Sequence, residues 1–423
     1  MVSQATSEGP AAPDSENNTH SKENTMPGFE LFGDEERREV QQVLETGVLF
    51  RYGFDAARQG RWKARALEDE IKRLTGAAHC HVCSSGTAAL AIALAACGVG
   101  AGDEVIVPPF TFIATIEAVL HAGAVPVFAD IDDTLCLDPH AVERAIGSRT
   151  RAVLPVHMCG AMAHIDELQS LCDAHGLALI EDACQAFGAT FRGRALGTFG
   201  RMGCFSFDAV KTITCGEGGA VVTDDTTLYK LADAYSDHGH DHVGTDRGRE
   251  GHAILGTNYR ISELNAAVGL AQVRKTGRIL EVQRRHKRLL KKALAAVDGV
   301  TFRTLPDPAG DSATFLTFLL PDEDTARRAA TRLAEAGMDG CFYWYDNNWH
   351  YLRKWDHLRG MQSAARLPQE LLSGTSDYRR LVLAPSDALM GRTLSMLIKL
   401  TWTPADLDRR AQAMTAVLQD VTA

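Results

Sequence analysis

Lys211 lies between an apolar run, Cys204-Phe205-Ser206-Phe207, and a turn rich in glycine at Gly216, Gly218 and Gly219. A lysine held against apolar surface is only partly hydrated. Desolvation disfavours its ammonium form, and the amine becomes a nucleophile toward a carbonyl. Alone, such a lysine can equally snorkel to solvent, so the weight falls on its companions. Asp182 closes the apolar run Leu179-Ile180-Glu181-Asp182, with an apolar helix start expected after it. A carboxylate there needs a cationic or N–H partner. A pyridinium nitrogen is one such partner, because the carboxylate keeps it protonated and lets the ring act as an electron sink. Gln185 is expected one helical turn further along the same face, its amide within reach of a ring oxygen. The competing reading is an N-cap aspartate with a surface glutamine. Ser84-Ser85-Gly86-Thr87 stands between a predicted strand and a predicted helix, where free backbone amides and the helix dipole attract a phosphate. The same residues also make an ordinary N-cap. Phosphate cradle, ring-nitrogen carboxylate and Schiff-base lysine, in this order, are together the apparatus of pyridoxal 5′-phosphate.

The elements that must position these groups alternate. Strands are predicted at His81–Cys83, Glu104–Val107, Pro126–Ala129, Ala152–Val156, Ala178–Glu181, Cys204–Phe207 and Ala220–Thr223, with helices such as Ala88–Cys97 and Ile165–His175 between them. That alternation defines an α/β fold, an open and largely parallel sheet covered on both faces. Such sheets bind ligands at the carboxyl ends of their strands. Thr111, Phe112, His157, Asp182, Gln185 and Lys211 all fall there. Residues 1–25 are polar and expected to be disordered. The large domain is expected over 26–285, with 26–60 able to pack on the smaller domain. A basic helix after Leu280, read as a solvated face, leads into that smaller α+β domain, 286–423.

With 45% hydrophobic and 23% charged residues, the composition is that of a globular enzyme. A net charge of −10 argues against nucleic acid or an anionic membrane as the main partner. The longest apolar stretch, Ala88 to Cys97, is too short to span a bilayer. Ten scattered cysteines, several within apolar segments, fit reduced thiols in a cytoplasmic protein. Cys80 and Cys83 lack a second pair and read as strand residues. No metal site is predicted.

The segments SSGTAAL at 84–90, GDEVIVPPFTFIATIEAVLHAGAVPVFADID at 102–132, VHMCG at 156–160, EDACQAFGA at 181–189, the Lys211 segment with GEGG, and NYRISELNAAVGLAQ at 258–272 resemble the DegT/DnrJ/EryC1/StrS sugar aminotransferases. Within that family, FRYGFDAARQGRWKARALE, SFDAVKTITCGEGG, SDHGHDH and DGCFYWYDNNWHYL are similar to the enzymes that make 8-amino-3,8-dideoxy-manno-octulosonate. The resemblance implies a fold-type I pyridoxal phosphate-dependent transferase, with a large, mixed and mostly parallel sheet domain and a smaller C-terminal α+β domain. It implies that Gly86, Thr87 and Ser206 hold the phosphate and that Phe112 stacks on the ring. Asp182 would pair with the ring nitrogen, Gln185 with the ring oxygen, and Lys211 would form the Schiff base. It implies a homodimer in which Asn258 and Arg260 of the partner subunit complete the phosphate site. Two positions depart from the pattern: Asp208 replaces a histidine common three residues before the lysine, and His164 replaces an aspartate. Lys211 itself is kept, which favours transamination over the dehydratase branch of the family.

The expected reaction is ping-pong transfer from an amino acid, L-glutamate, to a keto-sugar. The acceptor is the eight-carbon acidic sugar or, alternatively, a nucleotide-linked hexose or octose. A PLP-binding regulatory protein without turnover is the third reading. Substrate contacts are expected from His157, from His238, His240 and Arg247 in the loop 236–252, and from Trp344, Asn348 and His350. A solvated loop and an aromatic core are the competing readings of the last two groups.

Overall fold

The computed structural model describes residues 27–244, 247–364, 367 and 378–423. The N-terminal stretch 1–25 lies outside the described residues. Nine strands come from residues 79–223: β1 (His79–Cys83), β2 (Glu104–Val107), β3 (Val125–Phe128), β4 (Thr150–Val153), β5 (Ala178–Asp182), β6 (Thr190–Phe191), β7 (Arg194–Ala195), β8 (Met202–Ser206) and β9 (Gly219–Thr223). β6 and β7 form a small hairpin, and the other seven form one sheet in the order β1-β9-β8-β5-β4-β2-β3. From β3 through β8 every pairing is parallel, whereas β9 runs antiparallel to both β8 and β1. The result is the mixed, mostly parallel α/β sheet that the alternation implies. Its central strands are buried along their length, which is why they read as continuous apolar runs.

Prolines account for two differences from the predicted strands. β4 stops at Val153, before Pro155, which has no N–H to give to a ladder; Val156 rejoins only as an isolated bridge to Asp182. Pro126 is tolerated within β3 because β3 is the edge strand. The predicted helix after Asp182 is absent. Two turns, Ala183 to Ala186 and Ala186 to Ala189, carry the chain instead. Gly188 completes them at φ +81°, with no room for a side chain beside Leu280 and Thr276.

The helix Gly86–Ala96 is apolar all round and lies buried against β8 and β9. Ser85 caps it, accepting the Ala88 N–H at 3.0 Å. That helix is fixed from all sides, so its N-terminus is a rigid reference point.

A second sheet is antiparallel throughout: β10 (Thr301–Phe302), β11 (Phe315–Leu319), β12 (Cys341–Phe342) and β13 (Thr393–Leu397), in the order β10-β11-β13-β12. The helices Thr276–Leu294, Glu323–Glu335 and Pro404–Thr422 pack over it around Leu316, Phe318, Leu394 and Met414. The basic helix is not wholly solvated, since Lys287 is buried and paired with Asp311. The helix Glu263–Val273 packs on both Asp34–Thr46 and Lys63–Thr75. Just before Asp34–Thr46, Glu30 Oε2 accepts the Thr401 N–H at 2.7 Å.

Glu263, from the NYRISEL segment, ties these helices together. Its carboxylate accepts the amides of Lys63 at 2.7 Å and Ala64 at 3.3 Å, and lies 3.4 Å from Arg58 Nη1. Both charged side chains are 1% exposed, so removing one strands the other in the interior. Glu263→Ala should therefore lower the free energy of unfolding by about 3–5 kcal/mol; a urea midpoint equal to that of the parent protein would refute this account.

Candidate active site

A cavity of about 400 Å³ opens where the carboxyl ends of β5 and β8 face the N-terminus of the helix Gly86–Ala96. Ser85, Gly86 and Thr87 form one wall. A Cβ placed on Gly86 would come within 2.6 Å of Ser206 Cβ and 2.9 Å of its Oγ. Glycine is thus required for the helix N-terminus to meet the last residue of β8, and together they leave free N–H groups and a hydroxyl beside an open space. This is the geometry of an anion cradle.

Asp182 ends β5 at the base of the cavity and is 4% exposed. Its Oδ2 accepts the Thr115 hydroxyl at 2.7 Å and its Oδ1 the Cys184 amide at 3.1 Å. Both partners are neutral, so the buried carboxylate fits a cationic N–H donor presented from the cavity. Thr115 in turn lies 2.6 Å from the Thr111 hydroxyl. Gln185 also lines the cavity, its Oε1 accepting the Cys159 amide at 3.1 Å. With the oxygen engaged, the NH₂ group is the one left to donate.

Lys211 follows β8 through a tight turn and is fixed on several sides. Its Nζ lies 3.4 Å from Asp208 Oδ2 and 5.8 Å from the centroid of Phe112. Asp208 also accepts the Ser206 hydroxyl at 3.3 Å and the Val210 amide at 2.7 Å. The Lys211 carbonyl accepts the Gly28 amide at 3.2 Å, so the start of the described chain closes over the lysine turn.

The C-terminal half packs against the Thr111–Ile113 side of the cavity. Thr111 N–H donates to the His350 carbonyl and Ile113 N–H to the Trp349 carbonyl, both at 3.0 Å. Phe112 is stacked parallel to Trp349, with centroids 5.7 Å apart, and lies 5.5 Å from His350. Burial first, and then the charge of Lys211, push the His350 imidazole down to about 4.

Other residues singled out in the sequence stand elsewhere. His157 is fully buried behind the cavity, with Nε2 3.0 Å from Glu181 Oε2 and Nδ1 facing the Ala163 amide. Glu181 also gathers the amides of Gly197, Phe199 and Gly200, so the pair braces β5 rather than meeting a ligand. Trp344 is core, stacked on Phe342 at 4.6 Å. Asn348 is exposed, and so is His238. His240 Nδ1 lies 2.8 Å from Glu250. Arg247 and Arg260 both bind Asp237, and Asn258 is exposed, accepting the Arg260 amide at 3.2 Å. None of these lines the cavity of its own chain. His164 lies 3.7 Å from Asp132. Thr115 went unnoticed in the sequence, although Thr111 and Thr115 at i, i+4 next to an aromatic was a readable signal.

The loop histidines form an ionic cluster instead of a free donor set. His242 lies 2.8 Å from Asp233 and 3.0 Å from Asp237, with Tyr52 stacked on it at 4.0 Å. Burial opposes its charge, but the two carboxylates outweigh that and raise it to about 9.

The sheet, and a cavity lined by Gly86, Asp182, Ser206 and Lys211, are those of a fold-type I pyridoxal phosphate-dependent aminotransferase. The chain belongs to the DegT/DnrJ/EryC1/StrS aminotransferase family, whose model matches residues 31–373, and it is a sugar transaminase. It is 40% identical over 300 residues to L-glutamine:2-deoxy-scyllo-inosose aminotransferase of Streptomyces kanamyceticus, covering 66% of this chain and 70% of that one. It is 37% identical over 317 residues to 3-amino-5-hydroxybenzoate synthase of Amycolatopsis mediterranei, covering 74% and 80%. The crystal structure of a 3-amino-5-hydroxybenzoic acid synthase superposes with a TM-score of 0.77 at 31% identity, over 92% of this chain and 97% of that one. Among the described residues, no helix is long and apolar enough to cross a membrane.

Gly86→Ala should weaken pyridoxal phosphate binding by about tenfold to a hundredfold while leaving the far-ultraviolet spectrum unchanged; an absorbance titration measures this, and parent-like affinity would dismiss the cradle. His242 titrates higher folded than its ordinary value of 6.5, so its stabilisation is complete below about 6.5 and is lost as pH rises through about 9. His242→Gln should flatten the fall in urea midpoint across that window, and an unaltered slope would count against the cluster.

Proposed function

We propose that this transaminase moves an amino group from L-glutamate to 8-oxo-3,8-dideoxy-manno-octulosonate, acting as a cytoplasmic homodimer. The observation that carries the chemistry is Lys211 in a cavity with the Asp182 carboxylate at its base and the Gly86–Ser206 cradle at its wall. Support for the acceptor comes from the octulosonate-type segments, and the charge of the cavity restricts how it enters. Asp182, Asp208 and Glu217 line it, and Lys211 is the one cation among its lining residues. An acidic acceptor can enter only with its carboxylate remote from the reacting carbon. An eight-carbon sugar acid reacting at C8 meets that condition.

Bound pyridoxal phosphate supplies the electron sink and carries the amino group between the two half-reactions. Lys211 would hold and move a proton at Nζ beside the donor's α-carbon. Asp208 holds that amine at the cavity wall. Asp182 keeps the ring nitrogen protonated, Gln185 donates to the ring oxygen, and Phe112 fixes the ring plane. Gly86, Thr87 and Ser206 take the phosphate, joined by Asn258 of the partner subunit and the partner's Arg260. The homodimer is supported by the position of Asn258 and Arg260 outside their own chain's cavity, and by the cradle's lack of a cation once Lys211 is engaged.

A second reading, amination of an uncharged cyclitol ketone by L-glutamine, is favoured by the 40%-identical relative and by the same scarcity of cations. A nucleotide-linked sugar fits less well, because a diphosphate requires cations that the lining lacks. Lys211→Ala should lower turnover at least 100-fold to 10000-fold, the usual weight of positioned proton transfer; ordinary turnover by that variant would overturn the assignment. Absorbance spectra of the holoenzyme after L-glutamate or L-glutamine, then after each candidate ketone, identify donor and acceptor. Competition by nucleoside diphosphates would favour the nucleotide-linked sugar.

A further inference from the structure

We infer that His350 is a specificity-determining hydrogen-bond acceptor, whose Nε2 receives the hydroxyl on the carbon next to the acceptor's reacting carbonyl. The inference rests on the keto-sugar reading above. It begins with Asn347. The backbone N–H of Trp349 donates to the side chain of Asn347 at 2.9 Å, which fixes the atom it meets as the amide oxygen. The same oxygen lies 3.0 Å from His350 Nδ1. An amide oxygen only accepts, so Nδ1 must carry the proton. In a neutral imidazole protonated at Nδ1, the lone pair is on Nε2. Among the described residues, no group forms a hydrogen bond with that nitrogen.

The ring is held in place. Trp344 lies 4.7 Å away and Phe112 5.5 Å, and the residue's own carbonyl binds Thr111 N–H on the cavity wall. The ionisable group that acts on the ring is Lys211; Asn347, Phe112 and Trp344 carry no charge. Burial and Lys211 both disfavour the imidazolium, so the tautomer persists through the working pH range. A fixed, uncharged acceptor in ring contact with Phe112 complements an O–H. It therefore distinguishes a polyhydroxylated carbonyl compound from a deoxy analogue, which would leave the nitrogen unpaired.

The first test needs no turnover. In ¹⁵N-histidine-labelled holoenzyme, with His350 assigned by difference from His350→Gln, Nδ1 should be protonated and Nε2 unprotonated from about pH 5.5 to 8.5. An Nε2–H tautomer, or a ring that charges near neutral pH, would overturn the inference. The second test is kinetic. His350→Phe should lower kcat/KM for 8-oxo-3,8-dideoxy-manno-octulosonate about tenfold more than it lowers kcat/KM for the 7-deoxy counterpart. An equal loss for both sugars would reduce His350 to a packing residue and sink the proposal. Should the parent enzyme aminate neither sugar, the octulosonate reading fails separately, and scyllo-inosose with 2-deoxy-scyllo-inosose serves as the pair in the same comparison. Asn347→Asp adds an anion against Nδ1. It should create an acid limb in the acceptor profile alone, and a flat profile would contradict the role of the lone pair.

Discussion

A buried carboxylate with only neutral partners is the constraint on which this structure turns. Asp182 sits at the end of β5, where bulk water cannot solvate it, and the Thr115 hydroxyl and Cys184 amide meet its lone pairs without supplying charge. An unpaired anion in such a place is costly, so the site is incomplete until a cationic donor arrives. The surrounding architecture keeps the carboxylate in that state. Glu181, one residue earlier, points to the opposite face of β5, where His157 and three backbone amides satisfy it. Two adjacent acids on one strand thus have opposite roles, one fully satisfied and structural, the other left wanting a ligand.

The walls of the site come from distant parts of the chain, and their rigidity follows from backbone contacts. Gly86 and Ser206 meet at a distance that no side chain could enter. Residues 349–352 run alongside 109–113 through main-chain hydrogen bonds, so the aromatic segment of the C-terminal half is registered against Phe112 independently of side-chain packing. Backbone pairing of this kind positions His350 and Trp349 more firmly than a surface loop would.

Much of this was legible in the sequence because the signals were local. The strand and helix alternation gave the sheet, and Lys211, Asp182, Gln185 and Gly86 all fell at strand ends. The failures were of other kinds. Pro155 cut β4 short, and the turns after Asp182 replaced the helix because Gly188 is pinned against Leu280. His157 was placed at the correct sheet edge, but nothing in one sequence shows which way a histidine ring turns. The histidines and arginines of the loop 236–252 look like ligands in a linear reading. In space, Asp233, Asp237 and Glu250 consume several of them. Carboxylates that neutralise a basic loop are visible only once the chain is folded.

The contacts at Gly28 and Glu30 bear on when the site comes into being during synthesis. The amide of Gly28 holds the carbonyl of Lys211, and two residues later Glu30 is anchored by Thr401. A ribosome delivers Gly28 among the first described residues and Thr401 among the last. The sheet can assemble while translation continues, because all its strands lie before residue 224. The contact of Gly28 with the lysine turn can form as soon as Lys211 has been made, whereas the anchor at Glu30 waits for Thr401, so the segment before Asp34 is held first at one point and only later at two.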